Sequence, residues 1–214
     1  MNIVEVAKQR YTTKAYDPQK KLTAEQQQQL LDLLRNSPSS LNLQPWHFFA
    51  VTSDEGKAKI LPAIREFNLP RVRDAAMVVV FASADRLDDA HLAAVHARET
   101  ADGRFKDDAS AAANDNGRRQ YIAAFGGDEQ NVRHWLERQA YISLGFLLLG
   151  AAALDLNATP IEGFDPQKMD ELLGLKAKGM HSLVVASIGF NSEKDFNATL
   201  PKSRFSEQQV ITRL

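Results

Sequence analysis

Two stretches of the chain are almost wholly apolar, and the rest of the architecture must accommodate them. Residues 76–82 (AMVVVFA) form a continuous apolar run rich in β-branched residues, the pattern of a strand covered on both faces. Residues 141–156 are interrupted only by Ser143, Gly145, Gly150 and Asp155. They fall short of the roughly 20 apolar residues that a membrane span needs, so they predict a buried helix. The helical pattern extends backward to Asn131. It predicts one element from there to about Leu154, roughly 36 Å long at 1.5 Å per residue. Its first half is amphipathic and its second half is apolar all round, so the second half must be buried in the core or across a subunit boundary.

Shorter patterns fill in the remainder. Residues 2–10 are helix-like, with Ile3, Val6 and Ala7 on one side. Thr23 and Gln26 have the spacing of a capping box and open a helix to about Asn36, carrying Leu30, Leu31, Leu33 and Leu34. The Ser-Pro-Ser-Ser run at 37–40 breaks it. Residues 47–52 predict a strand, and Ser53 opens a short helix to about Arg65. Two or three helices follow across 88–125, with Gly126 and Gly127 in a polar turn. Residues 159–163 are extended, 165–173 a capped helix and 183–189 another strand. The last 25 residues have no partner nearby in sequence and end on a strand-like piece, Val210 to Thr212, suited to pairing on another subunit. The expectation is one α+β domain over 1–214, with a modest central sheet, many helices and an extended tail.

Composition narrows the classes. The chain has 214 residues, 44% hydrophobic and 25% charged, with a net charge of -1. A dedicated nucleic-acid or anionic-membrane binder would be basic, so neither partner is expected. The absence of cysteine rules out thiolate nucleophiles, disulfides and cysteine-bound metals, and fits a reducing cytoplasm. The opening MNIVEVAKQR lacks the basic start and apolar run of a signal peptide. There is no GxxxxGK[ST], no GxGxxG after a strand, no HExxH and no GxSxG. The five histidines are scattered, and His91 and His96, five apart, do not share a helix face; no metal site is expected.

Four segments carry candidate chemistry. Arg10 and Lys14 bracket Tyr11, Thr12 and Thr13 at a helix end, a set able to clamp phosphate or simply to solvate the helix C-terminus. Residues 37–46 form a stiff, donor-rich loop whose Ser39, Ser40, Asn42 and Gln44 could bond a polar heterocycle, or which merely joins helix to strand with Trp46 as a core plug. Gly163, in the extended run PIEGF, marks either a close backbone approach to a ligand or a bend. Lys202 and Arg204, two apart, share one side of an extended tail and suit a phosphate or plain solvent.

Taken together and in order, RYTTKAYD, SPSSLNLQPWHF, ADGRF, PIEGFD and DFNATLPKSR resemble the nitroreductase family: the oxygen-insensitive NAD(P)H nitroreductases of enteric-type bacteria, with the related FMN reductases and dihydropteridine reductases. The resemblance runs from residue 2 to about residue 205. It implies an FMN-binding α+β sandwich with a mostly antiparallel sheet, and a homodimer with shared active sites. It also implies a domain-swapped tail, residues 191–214, wrapped around the partner. By position, Arg10, Thr12, Lys202 and Arg204 would hold the FMN phosphate and ribityl chain, Lys14, Asn68 and Arg71 the pyrimidine edge, and Tyr11 would be a further cofactor contact. Pro38, Ser39, Ser40 and Asn42 would come from the other subunit, with Gln139 a further contact from the long helix. Pro160, Glu162 and Gly163 would bring a backbone N–H to flavin N5. Phe67, Phe105, Tyr121 and Leu41 would line the acceptor pocket. No side chain would act as a catalytic acid or base. The implied activity is ping-pong, two-electron reduction of nitroaromatics, quinones and similar small aromatic acceptors by NAD(P)H.

The rivals are a flavin reductase that releases reduced FMN, a dihydropteridine reductase, a non-catalytic FMN-binding protein and a plain dimeric scaffold. The chain departs from the family pattern at Tyr11, Thr12, Arg71, Leu41, Leu43 and Gln120, departures that bear on acceptor choice rather than on FMN.

Overall fold

The computed structural model describes residues 2–125 and 128–214; the turn expected at Gly126 and Gly127 lies outside them. The central element is a four-stranded sheet in the order β1(Trp46–Val51), β2(Met77–Ala84), β4(Met180–Gly189), β3(Asn157–Ile161). All three ladders are antiparallel. β2 is buried on both faces, as its apolar run requires, and its alternating side chains feed two cores. Met77, Val79 and Phe81 pack under α2(Ala24–Arg35) and α7(Glu129–Ala153). Val78 and Val80 face the layer of α3(Asp54–Ile60), α4(Leu69–Arg73) and α8(Pro166–Leu173). The result is a helix–sheet–helix sandwich. A third cluster of Leu43, Leu92, Trp135 and Leu136 supports the excursion of α5(Asp89–Ala101) and α6(Asp108–Ala123).

The capping box is present: the Thr23 hydroxyl accepts from Gln26 N at 3.1 Å, and Gln26 Oε1 accepts from Thr23 N at 3.0 Å. α2 lies close on α7 because Gly150 has no Cβ, which would overlap the Leu33 methyls.

Three expectations are corrected. The helix opened by Ser53 stops at Ile60 rather than Arg65, because Pro62 tightens the next residues into a 3-10 turn. A separate short helix, α4, then starts with Pro70 in its first turn. The apolar half of α7 is buried on one side only: Leu144, Leu147 and Ala151 face the core, whereas Tyr141, Ile142 and Phe146 are 40–43% exposed. The tail does not end as a strand at Val210; residues 207–210 form a helical turn, α9, because Ser206 and Gln209 repeat the capping box of α2. Among the described residues no helix is long and apolar enough to cross a membrane.

Candidate functional site

Past α1(Ile3–Gln9), the chain runs alongside β3. Thr12 makes a parallel bridge with Ala158, and Thr159 Oγ1 donates to Thr13 O at 2.5 Å. The tail returns over this segment. Asn197 Nδ2 donates to Thr12 O at 2.7 Å, and Asp195 Oδ1 accepts from Lys14 N at 3.1 Å. Lys202 Nζ donates to Ala7 O (2.8 Å) and Arg10 O (2.5 Å), capping the carbonyl end of α1. These contacts put Arg10, Tyr11, Thr12, Lys202 and Arg204 around one cavity of about 350 Å³, whose described lining holds no Asp or Glu. Burial first, and then Arg204, lowers the Arg10 guanidinium from its usual value; burial, Arg10 and Arg204 do the same to Lys202. Cations held this close repel one another, and an anion between them would relieve that repulsion.

The neighbouring edge is built by α4 and the segment after β3. Asn68 is buried; its Nδ2 donates to Gly163 O at 3.1 Å and its Oδ1 accepts from Arg71 Nη1 at 2.5 Å. Arg71 Nη1 also reaches Phe67 O, while Arg71 Nε is buried without a partner. Burial and the Arg71 charge lower the Lys14 ammonium, with Asp195 opposing. Pro160 pairs with Ala186 in β3, and Glu162 is exposed just beyond it. A Cβ on Gly163 would lie 2.5 Å from Asn68 Nδ2 and 2.9 Å from Phe67 Cζ, so only glycine lets the backbone approach here. Tyr141 Oη donates to Glu162 Oε1 at 2.9 Å. Burial, then Glu162, pushes the Tyr141 hydroxyl up to about 12, so it stays a donor across the neutral range.

A second group forms around residues 38–44. Three non-glycine residues here are left-handed: Leu41 (φ 53°), Asn42 (54°) and Gln44 (46°). That conformation costs on the order of 1–2 kcal/mol for most residues, so other contacts must hold it. Ser40 N donates to Gln139 Oε1 at 2.8 Å, Gln44 N to Ser39 Oγ at 2.9 Å, and Asn42 Nδ2 to Glu99 Oε1 at 2.9 Å. Leu43 is fully buried, and its carbonyl meets His91 Nε2 at 2.6 Å. Pro38 is exposed at the start of the loop. Phe105 lies 5.8 Å from the His96 ring, and Tyr121 sits 5.9 Å from both Phe125 and Trp135.

The sequence-predicted residues therefore fall into two groups. Arg10, Tyr11, Thr12, Lys14, Phe67, Asn68, Arg71, Pro160, Glu162, Gly163, Lys202 and Arg204 gather beside β3. Pro38, Ser39, Ser40, Leu41, Asn42, Phe105, Tyr121 and Gln139 gather beyond the start of β1. Those strands are the two edges of the sheet, three strand spacings or about 14 Å apart. Among the described residues, no hydrogen bond or ion pair joins the groups directly. Gln139 is 5% exposed, and its amide donates to Trp135 O, so its contacts are internal to the loop support. Sequence reasoning missed Tyr141, Asp195, Glu99 and Arg118. Asp195 carried a cap signal, since it accepts from Asn197 N two residues on; the other three look like ordinary helix-surface residues.

A family model described as the nitroreductase family matches residues 7–190. The chain belongs to the nitroreductase family. Among curated family relatives, it is 46% identical to the oxygen-insensitive NAD(P)H nitroreductase of Salmonella typhimurium, with 100% of each chain covered. It is 33% identical to the major NAD(P)H-flavin oxidoreductase of Aliivibrio fischeri, covering 99% of this chain and 98% of that one. The nitroreductase fold is shared with a protein of Exiguobacterium sibiricum crystallised with FMN, at TM-score 0.84 and 20% identity, covering 100% of this chain and 98% of that one.

Proposed function

We propose that this chain, as a single domain over 1–214 and a cytoplasmic homodimer, is an FMN-dependent NAD(P)H oxidoreductase reducing nitroaromatics, quinones and similar acceptors. The observation that carries the reading is the acid-free cavity with Arg10, Lys202 and Arg204 in its wall. It suits a phosphate dianion. The adjoining edge suits a flat heterocycle: Arg71 Nε is buried and unpartnered, and the Asn68 and Phe67 side chains lie against Gly163 where a Cβ would stand.

Bound FMN supplies the hydride chemistry, accepting from NAD(P)H and passing two electrons to the acceptor. The chain's own residues bind and orient. Arg10, Thr12, Lys202 and Arg204 hold the phosphate and ribityl end. Lys14, Asn68 and Arg71 hold the pyrimidine edge with donors and positive charge. Gly163 admits close backbone approach, steadied by Tyr141 through Glu162. Leu41, Phe67, Phe105 and Tyr121 supply apolar walls for nicotinamide and acceptor in turn. The separation of the two groups supports an active site shared between subunits, with the loop at 38–42 reaching the partner's flavin. The exposed Ile142 and Phe146 of α7 supply an apolar contact for that pairing, and the exposed end of the tail, residues 205–214, would wrap the partner.

A second reading is favoured by the 33% identity to a flavin oxidoreductase: release of reduced flavin as product. The test is the visible spectrum of the FMN-loaded protein under anaerobic NAD(P)H. The flavin band bleaches, and it returns when a nitroarene or quinone is added. Faster turnover of free FMN than of either acceptor would favour the second reading. A protein that cannot be loaded with FMN would overturn both.

A further inference from the structure

We propose that the buried Glu99–Arg118 ion pair positions the 39–44 loop and thereby sets how tightly the acceptor is held. Glu99 lies on α5 and Arg118 on α6, each 3% exposed. Arg118 Nη2 donates to Glu99 Oε2 at 2.5 Å. A staple between two helices would need only that bond. Here both partners also reach the loop: Glu99 Oε1 accepts from Asn42 Nδ2 at 2.9 Å, and Arg118 Nε donates to Leu41 O at 3.2 Å. The contacts end on the two consecutive left-handed residues, where the backbone most needs an external hold. Arg104 Nε, 3.7 Å from Glu99, and Asp115, 3.6 Å from Arg118 Nη1, are the other charges facing the pair. A cavity of about 360 Å³ opens beside it, between Leu41 and Gly117.

The α5–α6 excursion also carries Phe105, in its connecting turn, and Tyr121, on α6. One ion pair therefore fixes the loop and the aromatic wall in a common register. The proposal rests on the reading that this loop and wall border the flavin and acceptor. Neither charge touches the reacting atoms; both act through Leu41 and Asn42, as positioning residues.

The test uses the FMN-loaded protein and two variants. Arg118→Lys keeps a positive charge opposite Glu99 but removes the Nε donor to Leu41 O. The double variant E99L/R118M removes both charges together, so neither is left buried and unpaired. Amide hydrogen exchange at residues 41–44 accelerates about tenfold in both variants, with β2 and β4 unchanged. The KM for a nitroarene rises about tenfold while kcat changes less than twofold. Native exchange at 41–44 in Arg118→Lys overturns the proposal, whether or not the double variant folds. So does faster exchange with an unchanged KM. Failure of the unmutated protein to bleach with NAD(P)H would sink the functional reading instead, and loop exchange would still report on the positioning.

Discussion

Replacing Arg10 and Lys202 together by alanine lowers FMN affinity about a thousandfold. Hydrogen bonds to charged groups contribute roughly 1.5–3 kcal/mol each, and 1.4 kcal/mol is a factor of ten. Two such losses therefore approach three decades. The loss is one of binding rather than folding, because neither residue belongs to a core cluster and Lys202 lies on an exposed tail. Its bonds to Ala7 O and Arg10 O cap only a seven-residue helix with no buried residue. Fluorescence titration of FMN reads the affinity, and a urea melt of the apoprotein separates it from stability. The unmutated protein should also lose affinity more steeply with added salt, since cations on an exposed cavity wall are screened. An affinity within threefold of the original would mean that the acid-free cavity is not the phosphate site.

Gly163→Val slows flavin reduction by NAD(P)H at least about a hundredfold, the scale expected when a reacting group is displaced by about 1 Å. The new Cβ would meet Asn68 Nδ2 and Phe67 Cζ inside van der Waals distance. Phe67 is exposed and can swing away. Asn68 cannot, being buried and held at its other end by Arg71. The strain therefore passes to the backbone after β3. Overpacking of this kind costs about 1–3 kcal/mol, which for a chain of this size lowers Tm by about 2–4 °C per kcal/mol. The variant should remain folded and keep most of its phosphate affinity, because the cationic cavity is built by other segments. Stopped-flow bleaching of the flavin measures the rate; a native rate would mean that this backbone does not approach the reacting edge.

The parts of this architecture that could be read in advance are those fixed by local rules. The doubly covered β2, the capped α2, the long α7 and the cationic ends all follow from neighbours in sequence. Residues 10–12 and 200–204 share one cavity because Asp195 and Asn197 tie the tail to Thr12 and Lys14, ties between residues more than 180 positions apart that no periodicity reports. Glu99 and Arg118 were hidden for the opposite reason. A charged residue on a helix is expected in solvent, and only tertiary placement buries it. The stop of α3 at Ile60 turned on Pro62, and α9 turned on a Ser206–Gln209 spacing already recognised at Thr23 and Gln26. Those two were legible and overlooked. The strain at Leu41 was not, since leucine gives no sign of a left-handed backbone.

The placement of the two residue groups at opposite edges of one sheet also has a genetic consequence. If each site is assembled from the cationic edge of one copy and the loop of the other, damage at Arg10 and damage at Asn42 fall in different complementation classes. Two alleles, one of each kind, would together restore half the sites in every mixed dimer, because one site draws both of its halves from undamaged segments. Two alleles with lesions in the same group would restore none.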